Sequence, residues 1–313
     1  MALRIVFCGT PEFAVPSLRH LIADFRVEAV VTQPDRPRGR GQEMAASAVK
    51  QAALAAGLRV LQPAKIKSEA TIEDFKRLAP DAVVIIAYGQ IISQSLIDIP
   101  RLGWINLHAS LLPKYRGAAP INWAIVNGET RTGLTTMRID AGLDTGPMLL
   151  KYETEIGAEE AAPELTARLA EAGAPLIAET LRGLERGEIA ATAQDGSQAT
   201  IAPPLKKEDG RIDWSQDAQA IYNRIRGLQP WPGAFTTFRG KNCHIWGRPS
   251  PDAGALGSLP PGTIRFADRE VFATCRTTTM LRVDYVQMEG RKRVTAQEFA
   301  NGARLAPGER FGT

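Results

Sequence analysis

Two textures of hydrophobic and polar positions meet near residue 188 of the 313-residue chain. Before it, short β-favouring runs alternate with stretches of helical period. LRIVFCG (3–9) predicts a strand. Thr10 and Pro11 then offer a cap and a first-turn proline to a helix whose apolar positions are Phe13, Leu18, Leu21 and Ile22. VEAVVTQ (27–33) predicts a second strand, MAASAVKQAALAAGL (44–58) a helix ended by Gly57, and RVLQP (59–63) a short third strand. A helix over 69–80 precedes DAVVIIAYG (81–89), the most apolar run, which suits a strand covered on both faces. Further strands are predicted at 103–108, 133–139 and 147–156, with helices at 120–128 and 163–187. This alternation predicts a doubly wound, mostly parallel α/β sheet.

After Gly187 the pattern changes. Residues 188–210 are polar and rich in Ala, Gly and Pro, as a linker is. A helix within 211–229 is followed by short strands at 230–238, 242–247, 262–267, 271–275 and 279–288, separated by Gly and Pro turns. Those runs predict a small β-barrel or sandwich. The expected division is a first domain over 1–188, a linker over 189–208 and a second domain over 209–313. The length supports two domains, and 44% hydrophobic with 23% charged residues is ordinary globular composition.

Cys8, Cys243 and Cys275 are three, widely spaced, and form neither a disulfide framework nor a CxxC pair, which suits a reducing cytoplasm. The opening residues lack the basic and long apolar regions of a signal peptide, and AVVIIAYGQII is too short to span a membrane, so a cytoplasmic protein is expected. From Lys206 onward 17 basic residues face 11 acidic ones, a balance of +6, leaving 21 against 23, or −2, before it. A basic second half suits an anionic partner such as nucleic acid, and equally a solvated Arg-rich surface.

The candidate chemistry sits in GWINLHASLLPKYRGAAP (103–120). Residues two apart on a strand share a face, so Asn106 and His108 point together and Ile105 and Leu107 oppose them. Pro113 and Gly117 mark the loop beyond. In a doubly wound sheet ligands sit past the carboxyl ends of the strands, and the loop DAGLDTG (140–146), with Asp140 and Asp144, belongs there too. An amide, an imidazole and a carboxylate in one crevice can polarise a carbonyl and move a proton. Singly, each has a bland reading as a hydrogen-bonded structural residue or a turn former; the combination favours chemistry. No elbow-type Ser or Cys nucleophile accompanies them, and neither GxGxxG nor a Walker sequence is present, which weakens dehydrogenase and NTPase readings.

INLHASLLPKYRGAAPINWAI followed by DAGLDTG resembles the folate-dependent formyltransferases. FCGTPEFAVPSL, VVTQPDRPRGRG, AYGQII and LQPWPGAFT narrow the resemblance, over nearly the whole chain, to the branch that formylates initiator methionyl-tRNA. It implies a Rossmann-like catalytic domain and an OB-like C-terminal barrel, acting as a monomer without metal or permanently bound cofactor, with 10-formyltetrahydrofolate as co-substrate. Asn106, His108 and Asp144 occupy its catalytic positions. Ser110, Leu111, Leu112 and Pro113 occupy its folate segment, and Ala87, Tyr88 and Gly89 its pterin pocket. Many relatives have Ser-Pro-Val-Lys where this chain has Ser47-Ala48-Val49-Lys50, which bears on where the next helix starts.

The implied reaction is direct attack of the amine through a tetrahedral intermediate. Asn106 and His108 N–H groups would stabilise its oxygen. Asp144 would set the His108 tautomer or take the amine proton through a water, and Leu111 and Leu112 would cover the pterin and aryl groups. Arg36, Arg38 and Arg40, in an arginine loop, are the implied tRNA contacts, Arg40 first among them. Lys206 and Lys207 are RNA contacts or plain linker charges with equal weight. His20 and His244 are expected to be structural, and Trp214, Trp231 and Trp246 to lie in the barrel core. The alternatives are an enzyme passing formyl to an amino sugar or to water, and a non-catalytic RNA-binding protein.

Overall fold

Ala82–Ile86, the run without alternation, is buried at every position and hydrogen-bonds a parallel strand on each side. The computed structural model describes residues 3–38, 43–250, 259–276 and 279–313. In chain order its first strands are β1 (Arg4–Gly9), β2 (Arg26–Val31), β3 (Arg36–Arg38), β4 (Glu43–Ala45), β5 (Val60–Leu61), β6 (Ala82–Ile86) and β7 (Trp104–His108). They continue as β8 (Arg116–Gly117), β9 (Arg131–Arg138), β10 (Met148–Glu155) and β11 (Ile201–Ala202). Seven make one sheet in the order β10-β9-β7-β6-β1-β2-β5. From β5 through β7 neighbours are parallel; β9 and β10 complete the sheet antiparallel.

The accompanying helices are α1 (Val15–Asp24), α2 (Ala48–Ala55), α3 (Glu69–Leu78), α4 (Gln94–Ile97), α5 (Pro120–Val126) and α6 (Ala162–Arg186). Despite Ala48 in place of proline, α2 starts there, because the Ser47 hydroxyl accepts from the Lys50 amide at 3.0 Å. Two expectations need correction. Thr10 caps nothing: a 3-10 turn over Glu12–Ala14 precedes α1, and the Thr10 hydroxyl donates to Tyr88 O at 3.2 Å. Met44 and Ala45, expected in α2, lie in β4, which pairs antiparallel with β3; pairing between the two arms overrides the helical preference of an Ala-rich run.

Two compact units divide the chain. Met1–Pro120, Arg131–Glu155 and Leu165–Ala202 form unit 1, and Ile121–Thr130, Ile156–Glu164 and Pro203–Thr313 form unit 2. Two segments read with the first domain thus pack with the second. Much of the expected linker is built into unit 1: Thr192 and Met148 exchange backbone hydrogen bonds at 2.8 Å, and β11 pairs parallel with β8.

Unit 2 contains α7 (Ala218–Gly227), β12 (Phe235–Phe238), β13 (Lys241–Pro249), β14 (Ile264–Ala267), β15 (Glu270–Thr274), β16 (Met280–Met288), β17 (Val294–Thr295) and α8 (Ala296–Ala303). Its sheet is antiparallel in the order β12-β13-β16-β15-β14, with β17 also on β16. α8, unforeseen in the sequence, is opened by a capping box of Thr295 and Glu298. Trp214 is buried and stacks on Phe311 at 5.4 Å, as expected of core. Trp231 is not core: it is 55% exposed, because its neighbours Gln229–Pro230 and Pro232–Gly233 form a turn rather than a strand. Trp246 packs at the core edge under the Arg293 guanidinium, 5.2 Å from its ring. Arg226 is buried and donates to Asn223 Oδ1 and to the carbonyls of Gly157 and Glu160, holding the segment before α6 within unit 2.

Candidate active site

Strand β7 carries the amide and the imidazole because its two faces differ in what they meet. Leu107 lies against Gly173 of α6 on one face, and on the other Trp104 stacks on Phe75 at 5.3 Å. Asn106 and His108 follow Trp104 on that second face, at the carboxyl end of the strand. The Asn106 carboxamide is half-buried and makes no hydrogen bond among the described residues. His108 is 6% exposed.

Past His108 the chain is clamped into a tight return. Thr135 Oγ1 donates to Ser110 O at 2.7 Å and accepts from Leu112 N at 3.1 Å. Lys151 donates to Leu112 O at 2.7 Å, and the Leu112–Pro113 peptide is cis. Tyr115, at φ +60°, brings its carbonyl oxygen to 2.8 Å from His108 Nε2. A carbonyl only accepts, so Nε2 carries the hydrogen and neutral His108 has its lone pair on Nδ1. The Tyr115 carbonyl, which no residue type announces, therefore sets the tautomer, one of the two tasks expected of Asp144.

The second carboxylate arrives on the loop after β9. Asp140 Oδ1 accepts from Gly142 N at 3.0 Å and from Thr145 Oγ1 at 2.7 Å, an Asx-type staple that gives Asp140 a structural task. Gly146 lies so close to Arg138 O that a Cβ there would sit 1.9 Å from it. Held this way, Asp144, at φ +51°, turns its carboxylate toward β7, with Oδ2 3.6 Å from His108 Nδ1 and 2.9 Å from the Gly117 amide that donates to it. No hydrogen bond spans 3.6 Å while the imidazole is neutral; once Nδ1 is protonated, an ion pair does.

The residues of the implied folate site divide by burial. Ser110 and Leu112 are fully buried, and Ser110 Oγ donates to Lys114 O, so both side chains build the loop; Leu112 does not offer the apolar cover expected of it. Leu111, with a methyl over Gly133, and Pro113 are half-buried. The Tyr88 ring turns into the core with Val6 and Cys8, where burial pushes its phenol pKa up and its hydroxyl has no hydrogen-bond partner among the described residues. Ala87, Tyr88 and Gly89 present main chain instead, held where Gln33 Nε2 and Thr10 Oγ1 both donate to Tyr88 O.

The basic candidates are spread between the units. Arg36 is exposed on β3 in unit 1; the side chain of Arg38 and all of Arg40 lie outside the described residues. At the base of that segment Lys50 binds Asp35 at 2.6 Å, and Lys50 with Gln62 holds the Asp35 carboxyl below its ordinary pKa. Lys206 and Lys207 are exposed in unit 2, where Lys206 N donates to Asp209 and Lys207 opens a 3-10 turn. His20 faces Asp24 at 3.3 Å, and His244 packs beside Phe235 in unit 2. No helix among the described residues is long and apolar enough to cross a membrane.

Residues 3–181 match the family model described as formyl transferase, and residues 204–304 the one described as formyl transferase, C-terminal domain. The chain is 58% identical to the methionyl-tRNA formyltransferase of Solibacter usitatus over 311 residues, 99% of each protein. It is 52% identical to that of Koribacter versatilis over 313 residues, 98% of each. Among solved structures, the sugar 3N-formyl transferase WlaRD, crystallised in the presence of dTDP and 5-N-formyl-THF, superposes with a TM-score of 0.65. It shares 17% identity, covers 93% of this chain and all of its own, and is a likeness of fold.

Proposed function

The chain belongs to the methionyl-tRNA formyltransferase family, and from that membership we propose that it moves the formyl group of 10-formyltetrahydrofolate onto the amino group of methionine on initiator tRNA. The observation that carries the mechanism is His108 held between the Tyr115 carbonyl and the Asp144 carboxylate, one strand face with the uncommitted Asn106 amide.

The neutral amine attacks the formyl carbon, forming the C–N bond and placing negative charge on the formyl oxygen. The Asn106 N–H groups donate to that oxygen, an interaction that strengthens as charge develops. The attacking nitrogen then loses a proton to His108 Nδ1, directly or through a water. The imidazolium is held by Asp144 on one side and Tyr115 O on the other. As the bond from carbon to N10 breaks, His108 returns the proton to N10, leaving tetrahydrofolate and the formylated amine. His108 thus serves as the proton carrier, since its Nε2 hydrogen is engaged by Tyr115. The backbone of Ala87–Gly89, with Leu111 and Pro113, lines the folate site. Arg36, Arg38, Arg40, Lys206 and Lys207 contact the tRNA in the cytoplasm.

The test supplies 10-formyltetrahydrofolate labelled in the formyl carbon together with methionyl-tRNA, free methionine or an amino sugar nucleotide. Label on methionyl-tRNA alone supports the reading. Label released as formate, or carried by the sugar nucleotide in preference, overturns it.

A further inference from the structure

Both groups that flank His108 are tied, from behind, to one short segment of chain. Gln194 Oε1 accepts from Arg116 Nε at 3.0 Å and from Arg116 Nη2 at 2.7 Å. Its Nε2 donates to the carbonyls of Asp144 at 2.8 Å and Gly146 at 2.7 Å. Six residues on, Thr200 Oγ1 accepts from Tyr115 N at 2.8 Å, and Ile201–Ala202 pair in parallel with Arg116–Gly117. The residue that supplies Tyr115 O and the residue that supplies the Asp144 carboxylate are thus both anchored to residues 194–202, all within unit 1.

We infer that Gln194 is a positioning residue of the transfer reaction, holding the main chain of Asp144 and the strand that bears Gly117 at the spacing His108 requires. The inference rests on the reading of Asp144 and His108 given above. Only a side chain that accepts and donates at once can do this. The amide oxygen takes the fork of a guanidinium while the amide nitrogen saturates two carbonyls. Asp144 needs such a hold, since its backbone sits in the left-handed region, which a non-glycine residue keeps only when its surroundings impose it. Four hydrogen bonds on one side chain fix that loop to a strand 78 residues earlier in sequence than Gln194.

The experiment compares Gln194→Met, Gln194→Glu, Asp144→Asn and the two double variants in the full chain. Gln194→Met keeps the length and removes all four hydrogen bonds; Gln194→Glu still accepts from Arg116 and cannot donate to the carbonyls. Each single Gln194 variant is expected to lower kcat about 10-fold to 10²-fold, the scale of a reacting group misplaced by an ångström, with KM for the folate within about twofold of native. A residue acting through Asp144 adds no further loss once Asp144→Asn has removed the carboxylate. Melting temperature on the same samples identifies a variant that fails to fold, and the other of the pair then decides. Native kcat in the folded Gln194 variant, or the same fold-loss with and without Asp144→Asn, overturns the proposal. Native turnover in Asp144→Asn alone overturns the mechanism on which it rests.

Discussion

The Asp144 carboxylate oxygen nearest His108 is already bound at 2.9 Å by the amide of Gly117. That bond fixes where the carboxylate points before any substrate arrives. Asp144→Asn is expected to lower kcat by about 10²–10⁴-fold, the scale of a lost acid–base function. Melting and turnover measured on one sample separate this from loop damage: a parallel decline of both speaks against the assignment.

Gly117 stands at φ +118°, and a Cβ there would meet Ala202 O at 2.6 Å. Gly117→Ala therefore strains the backbone and pushes β11 from β8. It is expected to cost about 1–3 kcal/mol of stability, read from the urea midpoint. Turnover in the folded fraction should drop as well, because the amide that holds Asp144 moves. An unchanged midpoint contradicts the close approach.

In the proposed mechanism Asn106→Ala removes the donor to the developing oxyanion and His108→Ala the proton carrier. Each is expected to lower kcat by about 10²–10³-fold, while KM for the folate changes little because these contacts strengthen in the transition state. Near-native turnover in either variant removes that residue from the mechanism.

Neutralising phosphates releases counterions, so the logarithm of the tRNA binding constant should fall linearly with the logarithm of salt concentration while folate affinity hardly moves. Arg36→Ala, Lys206→Ala and Lys207→Ala should each reduce that slope by about one for every phosphate the native residue contacts. Full-length protein is the proper material, because deleting residues 203–313 strips Ile121–Thr130 and Ile156–Glu164 of the unit they pack in. A native slope in all three variants excludes these residues from the interface.

The three thiols are buried, and burial pushes Cys243 and Cys275 up to about 12 and raises Cys8 as well. Folded protein at pH 8 should react slowly with a thiol reagent, and three equivalents should appear after unfolding in denaturant. Fast labelling of the native chain contradicts the described burial.

What the sequence revealed and what it hid follow from the range of the interactions involved. The continuous apolar run at 82–86 and the alternation about Asn106 and His108 are local patterns, and both appear as strands where expected. Tyr115 O is a backbone group that no residue type announces. Tyr88 reads as a pocket residue until the core is seen to take its ring. Residues 192–202 look like a tether because they are polar and lack a period; their partners lie far away in sequence, Gln194 from Arg116 by 78 residues and Thr200 from Tyr115 by 85. The antiparallel β3–β4 pair is hidden for a related reason: its strands are three residues each, too short to show an alternation.

Because Ile121–Thr130 packs with residues near the other end of the chain, the order of synthesis matters to its fate. The Asn122 side chain donates to Gly227 O, 105 residues downstream. At about 5–20 residues per second of translation, roughly 5–20 s pass between the emergence of the two. During that interval Asn122 and Val126, which meet Gly227 in the finished protein, stand without that partner. The strands of the seven-stranded sheet, the last of which ends at Glu155, have all emerged before this contact can form.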